Sequence, residues 1–332
     1  MLPYNYAYAS GKLKALQPLI LDPVDIERMV DAPDFVSAFK VLNDTDYADY
    51  LLDIEPVNYR DALRRDFMQM HTLLEQIIPD RNLFKLLYLD RDFINLGELY
   101  KVKYHGIPLH IDKLSTDTVY PVERLSQMVL HDAHHQGVDA DCLAIIAETN
   151  ATITAKTDPA LIDTLLRQIL FRWRLALAKR IGNAFVEQYV TTQINNANIL
   201  TWLRAKRLGL PPDQAFVRLF EGGDASPHAL IDLYHKPANA LRNYFMNWYD
   251  RAVLKTFDQF LEKNLLYELE KSVEDYLTRI TRRANWVPYG PEVVVSYYLA
   301  KRVAVFNVRL ILAGKLNRVP LAEIKQTLRE PF

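Results

Sequence analysis

One spacing recurs three times along this chain and limits how it can fold. An asparagine is followed eight residues later by a lysine and thirteen later by a proline. The pattern occurs at Asn95, Lys103, Pro108; at Asn198, Lys206, Pro211; and at Asn307, Lys315, Pro320. The anchors stand 103 and 109 residues apart, and self-similarity of this kind predicts one helical unit used three times. Apolar residues lie one, four and five positions past each asparagine: Leu96, Leu99, Tyr100; Ile199, Trp202, Leu203; Val308, Ile311, Leu312. With the lysine at eight, these steps fall on one helix face. The lysine then sits in the last turn, where a cation suits the negative end of the helix dipole. Gly106 and Gly209 supply a residue able to take a left-handed cap, and the proline two later bars continuation. The third copy departs: Arg318 replaces the glycine, and Asn317 is expected to take the left-handed conformation in its place.

Asparagine is a poor residue for the middle of a helix, so its recurrence inside an apolar stripe needs a reason. The expectation is that each amide is partly buried and bonded to a neighbouring segment, equivalently in each third. The third copy belongs to the sequence GPEVVVSYYLAKRVAVFNVRLILAGKLNRVP, which reads as one helix opening after Gly290-Pro291 and stopping near Asn317.

Composition narrows the class. The chain's 332 residues suffice for two average domains or one large repeat assembly. Forty basic and forty-one acidic residues leave a net charge of −1, so no global field argues for nucleic acid or an anionic membrane surface. Only ten glycines are present, which favours helices joined by short connections. Cys142, the single cysteine, excludes an internal disulfide and a cysteine-based metal cluster. The opening MLPYNYAYASGKLKALQPLILD lacks a continuous apolar core, so no signal peptide is expected. No stretch approaches the length of a spanning helix; Val293 to Ala300 is the best apolar run, and work at a membrane would require docking on another protein.

Helical periodicity covers most of the chain. Predicted helices run over 4–16, 59–78, 82–104, 121–135, 140–154, 159–181, 183–208, 238–261 and 261–283, with shorter ones after Pro23, Pro33, Pro211 and Pro227. In the 159–181 helix, Leu161, Leu165, Ile169 and Trp173 form the expected core stripe, with Arg167, Arg172, Arg174, Lys179 and Arg180 on other faces. The 261–283 helix is apolar along Leu265, Leu269, Val273, Tyr276 and Ile280; it reads as an ordinary two-faced surface helix more readily than as a partner-binding one. Trp202, Trp248 and Trp286 are expected to be packing anchors.

His131-Asp132-Ala133-His134-His135 is the one cluster that suggests chemistry. His131 and His135 stand one helical turn apart, a zinc-ligand spacing. His131-Asp132 also resembles the metal-binding pair of HD-type phosphohydrolases, with His105, His110 and Asp163 as further candidates by type alone. The plainer reading is a polar helix end near Gly137 whose histidines meet the helix dipole. No glycine-rich phosphate loop and no GxSxG elbow is present.

The residues at the chain's end carry a resemblance. Gly290-Pro291-Glu292, Tyr297, Leu299, Lys301, Asn307, Arg309, Leu310, Ile311 and Gly314-Lys315-Leu316 are similar to the closing motif of the C subunit of V-type and A-type ATPases, the family that includes the d subunit of the eukaryotic proton pump. DRDFINLGELYKVKYHG, INNANILTWLRAKRLGLP and FEGGDASPHALIDL also resemble its segments. Val303-Ala304-Val305 departs, being apolar where that family often carries acid.

The resemblance implies an all-α, funnel-like body of three pseudo-repeated lobes with pseudo-threefold symmetry. It is expected to form one assembly over 1–332, in approximate thirds 1–108, 109–211 and 212–332. It implies a non-catalytic part of the central stalk, cytoplasmic and held on the membrane through the rotor ring, with the ring and the D- and F-type axle subunits as partners. No catalytic residue, metal or cofactor is carried over, and neither nucleic acid nor a direct membrane span is expected. Gly106, Gly209 and Arg318, equivalent by the repeat, are the candidate docking loops. The competing class is a helical metal-dependent phosphohydrolase centred on His131 and Asp132.

Overall fold

A computed structural model describes residues 4–133 and 137–332. The protein is all-α: every regular element among the described residues is a helix. In chain order these are α1 (Ala7–Leu16), α2 (Pro23–Asp31), α3 (Phe35–Val41), α4 (Ala48–Leu51), α5 (Tyr59–Ile77), α6 (Arg81–His105), α7 (Val122–Leu130), α8 (Ala140–Thr152) and α9 (Pro159–Ile181). Then follow α10 (Ala184–Arg207), α11 (Pro212–Phe216), α12 (Pro227–Asp232), α13 (Ala238–Phe245), α14 (Arg251–Lys263), α15 (Leu266–Thr281), α16 (Pro291–Leu316) and α17 (Leu321–Thr327). Short polar side chains start many of them. Asp22, Asp34, Asp80, Asp139, Asp158, Asn183, Ser226 and Asp250 each accept a backbone N–H of the first turn.

The chain divides into two compact units, one gathering the chain up to Pro79 with His235–Phe332, the other Asp80–Tyr234. The first is built around α16, which packs against α1, α2, α3, α5, α15 and α17. A helix buried on nearly every side must be apolar on nearly every side, and Val293, Val294, Val295, Tyr298, Val308 and Ile311 are all at most 4% exposed. Its one buried cation is compensated. Lys301 Nζ lies 2.7 Å from Asp66 on α5, whose other oxygen accepts the Tyr47 hydroxyl at 3.0 Å. Such a pair adds little net stability but penalises any register that separates it.

The second unit rests on α6, α9 and α10. Helices α6 and α9 close in at Gly97, where an added Cβ would sit 3.0 Å from the Asp163 carboxylate and 3.5 Å from Leu166. Gly182, at φ +66, ends α9, and Asn183 caps α10 directly after it. Lys85 on α6 bridges Asp139 and Asp141 at the start of α8, at 2.8 and 2.7 Å.

Several sequence expectations are corrected. The buried stripe of α9 runs through Ile162, Leu166, Ile169, Leu170 and Arg174, one position on from Leu161, Leu165 and Trp173, because Phe171 and Leu177 also turn inward. The 238–261 helix is two, α13 and α14, because Asp250 caps a new helix at Val253 N. Helix α7 stops at Leu130 rather than reaching 135. Trp286 is no packing anchor, being 91% exposed.

Candidate functional site

Each repeated asparagine sits fully buried in its long helix and grips one residue of a returning segment with both ends of its amide. Asn95 Nδ2 donates to Ser115 O at 2.9 Å while its Oδ1 accepts Ser115 N–H at 2.8 Å. Asn198 makes the same pair with Phe220, both at 2.8 Å. Asn307 does so with Arg329, at 3.0 and 2.8 Å. A carboxamide alone among uncharged side chains offers a donor and an acceptor side by side, so it can replace one rung of a strand ladder. The nine apolar residues of the pattern are at most 3% exposed, so each clamp is walled by its own stripe.

A second clamp stands three residues earlier in two copies. Asp92 accepts Val119 N–H and Tyr120 N–H, both at 2.9 Å. Asn195 accepts Asp224 N–H at 2.9 Å and donates to the Asp224 carboxylate. Burial pushes the Asp92 carboxyl up to about 8, against the opposing pull of its two backbone donors. In the third copy the position is Ala304. There the returning segment is held by ion pairs instead: Arg279 and Arg282 bind Glu330 at 3.0 and 2.6 Å, and Glu330 N–H donates to Asp275 at 2.9 Å. The −3 clamps and the return segments were missed in the sequence; a short polar residue three before two of the anchors was the available signal.

Past the clamps, the three helices end alike. Gly106, Gly209 and Arg318 have φ of +62, +65 and +55. Arg318, not Asn317 (φ −91), takes the left-handed position, so the turn is kept with a residue it strains. After Gly209 and Arg318 the backbone closes identically, with Leu210 N–H to Ala205 O and Val319 N–H to Gly314 O, at 3.0 and 2.8 Å. The lysine three residues before each turn also reaches across: Lys103 to Asp132 at 2.8 Å, Lys206 to Tyr234 O at 2.7 Å, and Lys315 to Ala32 O. Burial lowers the Lys206 and Lys315 ammonium pKa values, with Asp31 and Asp34 opposing it at Lys315.

Large aliphatic side chains stand open beside every one of these turns. Ile107 is 40% exposed, Leu208 73% and Val319 37%. Beside Arg318 lies a groove of about 680 Å³ lined by Val30, Phe35, Lys315, Leu316 and Ile324 among others. Pro108, Pro211 and Pro320, two positions on, are exposed.

The histidine cluster is built differently from the sequence expectation. With α7 ending at Leu130, His131 lies past the helix, and His134 and His135 fall outside the described residues. Asp132, at φ +49, gives its carboxylate to Lys103, and Asp163 gives its own to Lys101 at 2.9 Å. His105 ends α6 and His110 follows in the next connection. Among the described residues no group of three or more His, Cys, Asp and Glu is placed to hold a metal, and no helix is long and apolar enough to cross a membrane.

The sequence matches the family described as ATP synthase (C/AC39) subunit over residues 9–327. It is 25% identical to the C subunit of the A-type ATP synthase of Desulfurococcus sp. (strain SY), an alignment covering 98% of this chain and 91% of that one. The C subunit of the A-type ATP synthase of Thermococcus gammatolerans is 23% identical, with 98% and 90% covered. The C subunit of the V-type sodium ATPase of Enterococcus hirae is 21% identical, with 92% of each covered.

Proposed function

Because the chain belongs to the ATP synthase (C/AC39) subunit family, we propose that it is a non-catalytic central-stalk subunit of a rotary A/V-type ATPase, seating the central axle on the membrane rotor ring. Names of relatives include both ATP synthases and a sodium ATPase, so the host machine's direction and ion are not part of the proposal. The observation that carries the reading is the recurrent helix end. Three buried clamps fix three long helices to their return segments, and beyond each clamp a left-handed turn presents an open aliphatic side chain next to a lysine. A part that passes torque needs stiffness behind its contacts, which close packing and satisfied buried polar groups supply. It also needs contacts that repeat where its partner repeats. In this reading the turns at Gly106, Gly209 and Arg318 are docking elements, three equivalent helix ends grouped as pseudo-repeated thirds of the chain. The protein is held at the cytoplasmic side of the membrane through the ring.

The test is coupling. In the intact complex, aspartate introduced together at Ile107, Leu208 and Val319, all exposed, should leave ATP hydrolysis in place while ion transport per ATP falls. The D- and F-type subunits should then separate from the ring on purification. Full transport by a complex carrying all three aspartates, or by one lacking the chain altogether, refutes the proposal.

A further inference from the structure

Helix α16 has two ends, and the turn at Arg318 accounts for only one of them. Its 26 residues, rising about 1.5 Å each, put its start about 39 Å from that turn. The start is reached from α15 through a short 3-10 turn, Arg282–Trp286, and then Gly290. Trp286 is 91% exposed there and Tyr289 60%. The connection is held in place all the same. Lys14 Nζ donates to Val287 O, Gly290 N–H donates to Ser10 Oγ at 3.1 Å, and Val287 N–H closes onto Ala284 O at 3.0 Å. A large indole is thus fixed in water, with its apolar surface uncovered.

A cleft lies on the same side of this turn. In a 3-10 turn, residues three apart eclipse, so Arg283 stands in line with Trp286. Arg283 lines a cleft of about 270 Å³ with Asn247, Trp248, Tyr276 and Ile280 among others. The Tyr276 hydroxyl donates to Trp248 O at 2.9 Å, and Tyr244 and Phe245 meet the Trp248 ring edge-on at 5.3 and 5.0 Å. Met246, next in the chain to Asn247, is exposed. Residues 236–249 and 276–291 contain no aspartate or glutamate. Arg279 is matched by Asp250 and Glu330, and Arg282 by Glu330. Arg283 is exposed and makes no ion pair among the described residues.

We infer that this end of the first unit, Trp286 and Tyr289 beside the cleft of Trp248 and Arg283, is the seat of the axle tip. An apolar side chain of the axle packs on the indole, and a carboxylate of the axle meets Arg283. Aromatic residues, methionine and arginine without acids are the composition of a protein interface core, and tryptophan and arginine are its common anchors. One unmatched cation selects a partner that brings an anion. Position chooses which partner. In the coupling reading, on which this inference rests, the Arg318 end of α16 meets the ring. The second load then falls on the other end of the same stiff helix.

The test measures binding of the purified full chain to the isolated D–F axle pair and, separately, to the detergent-solubilised ring, at low and high salt. Trp286→Ala should weaken axle binding about thirtyfold and leave ring binding unchanged. Arg283→Glu should weaken axle binding about fivefold or more at low salt, with the difference shrinking at high salt. Urea midpoints of both variants should match the parent, since both side chains are exposed. Undiminished axle binding by Trp286→Ala, or a loss of ring binding in its place, overturns the inference and leaves the coupling reading standing. A parent chain that does not hold the axle pair refutes both. Self-association of the chain that Trp286→Ala abolishes would assign the surface to a second copy and equally overturn the inference.

Discussion

Replacing Asn198 with alanine tests whether the clamps hold the fold. Asn198 is 0% and Phe220 3% exposed, and both hydrogen bonds between them are buried. Alanine removes the amide and leaves the Phe220 N–H and C=O without partners and without room for bulk water. An orphaned buried backbone group costs about 1–3 kcal/mol, so the pair costs about 2–6. Alanine's better helix propensity returns roughly 0.6 kcal/mol, for a net loss of about 1.4–5.4 kcal/mol. Asn95 and Asn307 hold Ser115 and Arg329, which are only half-buried, so water can replace part of what the amide supplied. Their alanine variants should cost about 1–2 kcal/mol.

The measurement is a urea titration of each variant with hydrogen exchange read at the clamped residue. Exchange at the Phe220 amide should quicken by at least about tenfold in Asn198→Ala, since 1.4 kcal/mol is a factor of ten. Asn198→Asp keeps the acceptor but turns an anionic oxygen toward the Phe220 carbonyl, and should be worse than alanine. An alanine variant as stable as the parent, or one at Asn95 costing as much as that at Asn198, would refute the reasoning from burial.

Arg318→Gly should raise stability by several tenths to about 1 kcal/mol, because a left-handed non-glycine residue costs roughly 1–2 and glycine's chain entropy takes part of that back; an unchanged or lower melting temperature counts against strain at the turn. Asp92 makes stability depend on pH. Its folded carboxyl titrates at about 8 against an ordinary 3.8, so the native chain holds the extra proton between those values, and stability falls as pH rises from about 4 to about 8. Asp92→Asn should flatten that decline, whose slope is at most about 1.4 kcal/mol per pH unit for one group, even though Asn cannot accept both N–H groups and starts less stable; equal slopes for parent and variant in urea titrations across that range sink the assignment.

The all-helical class was legible because the stripes repeat at helical spacing and because helix starts are written in Asp, Asn, Ser and Pro. The long helices α5, α6, α9, α10 and α16 came within about two residues of their bounds. Errors arose where a local rule met a tertiary one. Arg174 reads as a surface charge, yet it lies on the buried side of α9 with its guanidinium over the Tyr189 ring. The break between α13 and α14 hangs on Asp250, which caps a helix and also binds Arg279 from far along the chain. Of the candidate site, the asparagines, lysines and turns were readable as types and spacings. Their partners were not, because Ser115, Phe220 and Arg329 contribute only backbone, which no side-chain pattern marks.

The third copy is where the pattern bends, and its departures share one physical character. Ala304 replaces the polar clamp that Asp92 and Asn195 supply, while Arg279, Arg282 and Glu330 hold the returning segment from positions still one-quarter to one-third exposed. Lys315 turns to Ala32 O, from the beginning of the chain, where Lys103 and Lys206 reach residues that follow them by about thirty positions. Arg318 keeps a turn that glycine would make without strain. A buried clamp is nearly indifferent to salt, whereas exposed pairs are screened within about 10 Å at ordinary ionic strength. All three copies keep the asparagine clamp, but the third adds screenable ion pairs to it where the other two add a second polar clamp. That copy's helix end also carries the strained arginine and a groove of about 680 Å³, so a salt-sensitive hold on the return segment and a strained turn meet at one of three otherwise like ends.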